Sequence, residues 1–461
     1  MSAVFDAFRA SAVALDVMAS GVSTADALEA RQHERLRQLL TAAIHGSAFY
    51  RSRLHGVTPG VARLRDLPTV SRRELIANFD DWVTDPELKL AKLQAFTADR
   101  RRIGTPYLGK YVIWESSGTS NQPCIFVQDT RAMSVYDALE AVRHGAPRSL
   151  QRRFEPMLLA EKTAFVGAIG GHFASVVSVQ RLRLANPWMA QTLRCFSIMQ
   201  STAALVHELN AFAPTVIVTY PTAAALLADA ASRRQLRFRP KEVWTGGEKL
   251  SAGIRSRVEG EVGCVVHNSY GASEFLTIGW ECSRGQMHAN TDWVILEPVD
   301  ERGQPTPPGQ PSYSTLLTNL ANHVQPLIRY DLGDQLIVRH RRCGCGSSLP
   351  VIEVDGRHDD PLVMAGRDGQ PVTLLPLALT TILEDEAGVY EFQLRQRDAR
   401  TLVLRLEIEG PEARIALARC RVALRNYAAA QGLPTIRIVG ELGKPVSKGR
   451  SGKAQRIVAG P

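Results

Sequence analysis

From residue 134 to residue 268, short runs rich in β-branched residues alternate with longer runs of helical apolar spacing, and this alternation constrains the fold most. Helices are expected at 134–144, 203–212 and 222–231, and strands at 163–166, 215–220, 242–245 and 264–268. Strands separated by helices cannot pair as tight hairpins, so they need crossovers. The sheet is then largely parallel and the fold class is α/β. No internal repeat or low-complexity tract interrupts the pattern.

Flanking segments have a different texture. Residues 25–54 carry apolar residues at helical spacing, and Ser71 is placed to cap a short helix after Pro68, so the chain opens with a helical lead-in. The Pro/Gly-rich stretch 300–311 suits a surface hairpin, because strand-like text resumes at Ser314. A domain boundary is expected within 354–360. Beyond it a helix (376–386), two strands (391–397, 401–408), a long helix (413–430) and a strand (435–439) make a separate α+β module, residues 355–461 against 1–354.

Charge narrows the functional classes. Lys+Arg 55 against Asp+Glu 46 gives a net charge of +9, in scattered clusters that carry no nucleic-acid-binding motif. Small polyanions are the better partners. The first twenty residues lack a basic leader and are interrupted by Asp6, Arg9 and Asp16, and no apolar run approaches about 18 residues, so neither a signal peptide nor membrane contact is expected. A cytoplasmic location follows as an expectation. Seven cysteines, an odd number, argue against a disulfide framework, and Cys124, Cys195, Cys264 and Cys420 read as small buried hydrophobes.

Two constellations carry chemistry. In 111–127 two apolar strands flank ESSGTSNQP, where Ser116, Ser117, Thr119 and Ser120 around Gly118 offer hydroxyls and amides to a phosphate. It is not a Walker loop, since GxxxxGK[ST] is absent; a solvated turn uses the same residue types. Elsewhere Cys282 and His288 flank a turn, and Cys343 and Cys345 form CGC. Three thiols and an imidazole match the tetrahedral preference of zinc, against a bland reading as unpaired surface thiols.

ESSGTSNQP resembles the phosphate loop of the adenylate-forming superfamily. NSYGASEF (268–275), YDLGD (330–334), GRHDD (356–360) and SGKAQR (451–456) resemble its later motifs, in the same order. The lead-in and the GGE at 246–248 are similar to the phenylacetate-CoA ligase group. The resemblance implies a large N-terminal adenylate-forming domain with a small mobile C-terminal lid. It implies an acid-thiol ligase reaction: ATP and a carboxylate give acyl-AMP and pyrophosphate, and a thiol, usually that of coenzyme A, displaces AMP.

Residue by residue, the resemblance assigns Thr119 with Ser116, Ser117, Gly118 and Ser120 to the β- and γ-phosphates, and Glu274 to Mg²⁺. Tyr270 would stack near adenine, with Gly246, Gly247 and Glu248 lining the nucleotide pocket. Asp334 would take the ribose hydroxyls, Arg357 the ribose-phosphate side, and Asp359 would be the hinge. Lys453 would bridge carboxylate and α-phosphate. One departure stands out: Asn121, Gln122 and Pro123 occupy places where the family commonly has Gly-Lys-Pro, so the loop lacks a cation. By position, His172, Phe173, Tyr220, Ala272 and Gly279 are candidates to line an acyl pocket suited to a flat aromatic acid. Implied cofactors are ATP, Mg²⁺ and CoA, with a structural zinc at Cys282, His288, Cys343 and Cys345. Implied partners are a small carboxylic acid and CoA or, as the alternative acceptor, a carrier protein or an amine, with a homodimer as a candidate assembly and no nucleic acid or membrane.

Overall fold

The structure, a computed structural model, describes residues 6–116, 123–144, 161–339, 343–355, 361–367, 370–446 and 455–460. Ser117, Gly118, Thr119, Ser120, Asn121, Gln122, Arg357, Asp359 and Lys453 lie outside the described residues. The chain forms two compact units, one of Met1–Glu115, Cys124–Leu158 and Asn268–Asp355, the other of Ser116–Pro123, Leu159–His267 and Gly356–Pro461. One seam falls between Asp355 and Gly356.

In the first unit the lead-in is helical: Ala7–Gly21, Ala25–Gly46 and Ala48–Arg53, with Asp6, Thr24 and Ser47 accepting from the first free backbone amides. Helix Ala25–Gly46 buries Leu28, Leu36, Leu39, Leu40 and Ala43, a stripe at three- and four-residue spacing. Ser71 does cap Arg72–Ala77, and Glu74 closes a reciprocal capping box. Trp82, fully buried, donates from its indole to the Pro326 carbonyl at 2.6 Å; removing such a ring costs about 3–5 kcal/mol.

Strands Val112–Glu115 and Ile125–Gln128 pair antiparallel, as the β-loop-β reading expects. Buried amides brace the second of them: Asn322 Nδ2 donates to the Val127 carbonyl at 2.8 Å, and Gln325 Oε1 accepts from the Val127 amide at 2.8 Å. The proline-rich stretch connects two antiparallel strands, Val294–Val299 and Ser314–Asn319. Val265–Ala272, Phe275–Glu281 and Met287–Ala289 form an antiparallel run. Gly271 is obligatory there, because a Cβ would lie 1.9 Å from the Leu276 carbonyl oxygen.

In the second unit, parallel strands stand in the order Leu193–Ser197, Thr163–Gly167, Val216–Thr219, Glu242–Thr245. The C-terminal part has a four-stranded sheet in the order Arg437–Leu442, Thr401–Leu406, Gln393–Asp398, Ile457–Val458, with helices Pro376–Asp385 and Gly410–Ala430. Leu394, Leu404, Cys420 and Leu424 are in its core.

Several elements differ from expectation. Helices Ala7–Gly21, Ala174–Ala185 and Ala252–Val262 and the strand Leu193–Ser197 were not anticipated by periodicity. The helix placed at 134–144 runs as Thr130–Leu139, capped by Asp129, and ends in a π-turn. Cys124 and Cys420 are buried, whereas Cys195 and Cys264 are only half-buried, correcting their reading as buried hydrophobes. Among the described residues no helix is long and apolar enough to cross a membrane.

Candidate active site and metal centre

Two polar clusters occupy the first unit, one built on thiols and one on carboxylates. The thiol cluster brings Cys282, His288, Cys343 and Cys345 together, with all ligand atoms within 4.8 Å of one another. Cys282 follows strand Phe275–Glu281 into a tight turn. Its amide donates to the Gln286 carbonyl at 2.9 Å, the Gly285 amide donates to its carbonyl at 2.9 Å, and the Arg284 amide points at its sulfur at 3.4 Å. Gly285 has φ +71°, a conformation that favours glycine. The second turn repeats the device: the Ser347 amide donates to Cys345 Sγ at 3.5 Å, next to Gly346 at φ +90°.

Two of the ligand-to-ligand distances match zinc. Tetrahedral coordination with Zn–S of about 2.3 Å and Zn–N of about 2.0 Å requires edges of roughly 3.8 Å for S···S and 3.5 Å for S···N. Cys282 Sγ to Cys343 Sγ is 3.7 Å, and Cys345 Sγ to His288 Nε2 is 3.4 Å. His288 Nδ1 lies 2.8 Å from the Leu349 carbonyl. A carbonyl only accepts, so Nδ1 carries the proton and Nε2 presents its lone pair to the cluster. Burial also holds the imidazole pKa below its usual value, which keeps it neutral.

The thiols titrate unevenly. Burial pushes Cys282 up to about 11. At Cys343 burial also raises the pKa, but hydrogen bonds from the Cys345 amide and the neighbouring thiols outweigh it, and it lies below the ordinary thiol value. The loop behind the cluster reaches the first helix: the Ser348 amide donates to the Gly21 carbonyl at 3.1 Å, and its hydroxyl lies 3.3 Å from the Ser20 carbonyl. Beside it Ser20 and Arg143 share the fully buried Asp292, at 2.6 and 2.9 Å.

The carboxylate cluster sits at the hairpin between Val265–Ala272 and Phe275–Glu281. Glu274 is buried, and Tyr330 donates to its Oε1 at 2.8 Å. Its backbone is held as well. Asn319 Nδ2 donates to the Glu274 carbonyl at 2.9 Å, and the Trp114 indole donates to the Ser273 carbonyl at 2.9 Å. Oε2 of Glu274 has no hydrogen-bond partner among the described residues, which leaves that oxygen with acceptor capacity.

Tyr270, expected near adenine, donates to Asp334 Oδ2 at 2.7 Å, so two expected nucleotide residues are each other's partners. Thr315 Oγ1 donates to the Asp334 carbonyl at 2.9 Å, and Gly333, at φ +69°, turns the chain ahead of it. Burial, reinforced by the facing carboxylates, pushes both tyrosine hydroxyls well above their usual pKa, so both remain donors. Asn319 is the residue that motif reading missed, whereas Tyr330 opens the YDLGD motif but was given no role of its own.

The expected acyl-pocket residues divide between the units. Ala272 and Gly279 belong to the first; a Cβ on Gly279 would meet the His288 carbonyl oxygen at 3.1 Å. His172, Phe173 and Tyr220 belong to the second, with Gly246, Gly247 and Glu248. His172 is buried, and Phe173 precedes helix Ala174–Ala185. Tyr220 lies against Gly247, whose φ is +78° and whose Cβ would stand 3.1 Å from the ring. Glu248 caps the helix Pro221–Ser232: its oxygens accept from the Thr222 amide and hydroxyl, each at 3.0 Å. Ser116 is buried in the second unit.

No family model matches the chain. Protein CapK of Staphylococcus aureus is 21% identical over 401 residues, covering 82% of this chain and 78% of its own length. 2-Hydroxyisobutyryl-CoA ligase in complex with 2-HIB-AMP and CoA superposes with a TM-score of 0.59 at 18% identity, over 96% of this chain and 91% of that one. In its postadenylation state with R3-HIB-AMP the same ligase gives 0.55 at 18% identity, over 95% and 91%. The fold is therefore that of the adenylate-forming enzymes.

Proposed function

We propose that this chain, having that fold, is an acid-thiol ligase that activates a carboxylic acid with ATP and passes the acyl group to the thiol of coenzyme A. The observation that carries the reading is the paired arrangement Tyr330–Glu274 and Tyr270–Asp334, two carboxylates oriented by tyrosines within motifs that resemble the superfamily's. The likeness over nearly the whole chain to a ligase crystallised with an acyl-AMP and CoA supports it.

In the first half-reaction the substrate carboxylate attacks the α-phosphorus and pyrophosphate leaves. Two anions must meet, so the site has to offset their repulsion. Lys453 bridges the carboxylate and the α-phosphate as a point charge, and Ser116 to Ser120 with Thr119 hold the outer phosphates. Asp334 accepts from the ribose hydroxyls with its position fixed by Tyr270. Glu274 is the ligand for Mg²⁺, which when bound neutralises charge on the transferring phosphate oxygens. In the second half-reaction the thiol sulfur attacks the acyl carbon and AMP leaves. Residues 355–461 act as the lid, turning about Asp359 between the two steps.

The acid is an aryl carboxylate in this reading, on the strength of Phe173 and Tyr220 among the pocket candidates. Cys282, His288, Cys343 and Cys345 hold a structural zinc, which the edge lengths support. The test is pyrophosphate release with ATP and Mg²⁺ over a panel of aryl and short-chain acids, with and without CoA. Steady turnover with an aryl acid only when CoA is present is expected. A single turnover indifferent to CoA means a carrier-protein or amine acceptor instead, and silence across the panel overturns the ligase.

A further inference from the structure

We propose that Arg456 and Glu384 form a positioning pair for acyl-AMP formation, fixing the chain immediately after Lys453; this rests on the ligase reading above. Arg456 is 5% exposed and Glu384 3%. Arg456 Nη1 donates to Glu384 Oε1 at 2.7 Å and Nη2 to the Tyr390 carbonyl at 2.9 Å, while the guanidinium stands 4.3 Å from the centre of the Phe392 ring. The backbone is fastened at the same place. The Leu394 amide donates to the Arg456 carbonyl at 2.7 Å, Gln393 Nε2 donates to the Gln455 carbonyl at 2.9 Å, and Ile457–Val458 joins the sheet in parallel beside Gln393–Asp398.

A buried ion pair is a poor way to gain stability, since desolvating two charges offsets most of their attraction and a well-packed apolar pair often does as well. What this pair adds is direction. A planar fork bound to a carboxylate, a carbonyl and a ring face fixes one orientation, which a lysine or an apolar side chain could not reproduce. Gln455, held at its carbonyl, is two residues from Lys453, and two residues of chain span at most about 7 Å. In this proposal, that anchor two residues on limits the reach of the Lys453 ammonium. Its effective concentration at the reacting carboxylate depends on that anchor, and a displacement of about 1 Å can cost on the order of 100-fold.

The experiment separates the half-reactions in the full-length protein. Acyl-AMP formation is followed by pyrophosphate release, acyl transfer by CoA thioester formation from synthetic acyl-AMP, and folding by the melting temperature. Glu384→Gln and Arg456→Lys are expected to slow acyl-AMP formation by roughly 10- to 100-fold and to leave acyl transfer within about twofold. Because either single change strands a buried charge, the paired variant Glu384→Leu with Arg456→Met is also measured. Melting should recover in it while acyl-AMP formation stays slow. Hydrogen exchange of the peptide 447–460 should rise in all three.

A paired variant that regains acyl-AMP formation along with its melting temperature overturns the positioning role. So do equal losses in both half-reactions, or unchanged exchange in 447–460. A wild-type chain that makes no acyl-AMP from any acid removes the ligase reading first and this role with it, which is a distinct result from an active wild type with indifferent variants.

Discussion

The two polar clusters of the first unit differ in how completely they are satisfied. Around the thiols every group has a job: four ligand atoms converge within 4.8 Å, the His288 tautomer is set by Leu349, and backbone amides face the sulfurs. The carboxylate cluster is held just as firmly from behind by Tyr330, Asn319 and Tyr270, yet Glu274 keeps an oxygen with no partner among the described residues. A closed ligand set suits a structural metal, while an oriented group with spare acceptor capacity suits a substrate and its cation.

Glu274→Gln gives the sharpest test of that contrast. It is expected to cut pyrophosphate release by about 10²- to 10³-fold, the usual cost of losing one preorganised electrostatic group, with zinc content and melting temperature unmoved. Loss of zinc in the same variant would mean that the clusters are one. Cys345→Ser should do the reverse. Metal analysis should fall from about one zinc per chain to well under half, and melting should drop, while pyrophosphate release per folded molecule stays within about twofold.

Smaller effects probe the carboxylate side. Tyr330→Phe removes one hydrogen bond to a carboxylate oxygen, worth about 1.5–3 kcal/mol, so turnover should fall by roughly 10- to 150-fold without zinc loss. Tyr270→Phe should raise the KM for ATP about fivefold and leave kcat nearly intact, as expected if Asp334 holds the ribose. Equal damage to kcat would place Tyr270 nearer the reacting atoms. Ser71→Ala sets the scale for purely structural loss: about 1 kcal/mol in melting experiments, from the capping box alone.

Legibility in the sequence followed the range of the interaction. The thiol cluster was readable because cysteine and histidine seldom gather in turns without cause, and the parallel strands other than Leu193–Ser197 because their alternation is local. Ser71 was readable as a cap for the same reason. The pairing of Tyr330 with Glu274 was not, since a hydroxyl meeting a carboxylate 56 residues away leaves no periodic mark, and neither was the role of Asn319. Helix Ala7–Gly21 was obscured by Asp16, which the structure places in ion pairs with Arg31 and Arg35. Helix Ala174–Ala185 carries Val176, Val177 and Val179, which by propensity alone suit a strand.

The thiol cluster is also assembled in order during biosynthesis. Cys282 and Cys343 are 61 residues apart, and a ribosome adds roughly 5–20 residues per second, so the first thiol leaves the exit tunnel several seconds before its partners. For that interval Cys282 and His288 can offer only an incomplete site to a passing cation. The emerging CGC turn completes it, and the next residues of the chain deliver Ser348 to the end of the first helix. Closure of the cluster would then coincide with the moment at which a beginning made hundreds of residues earlier is fastened in place.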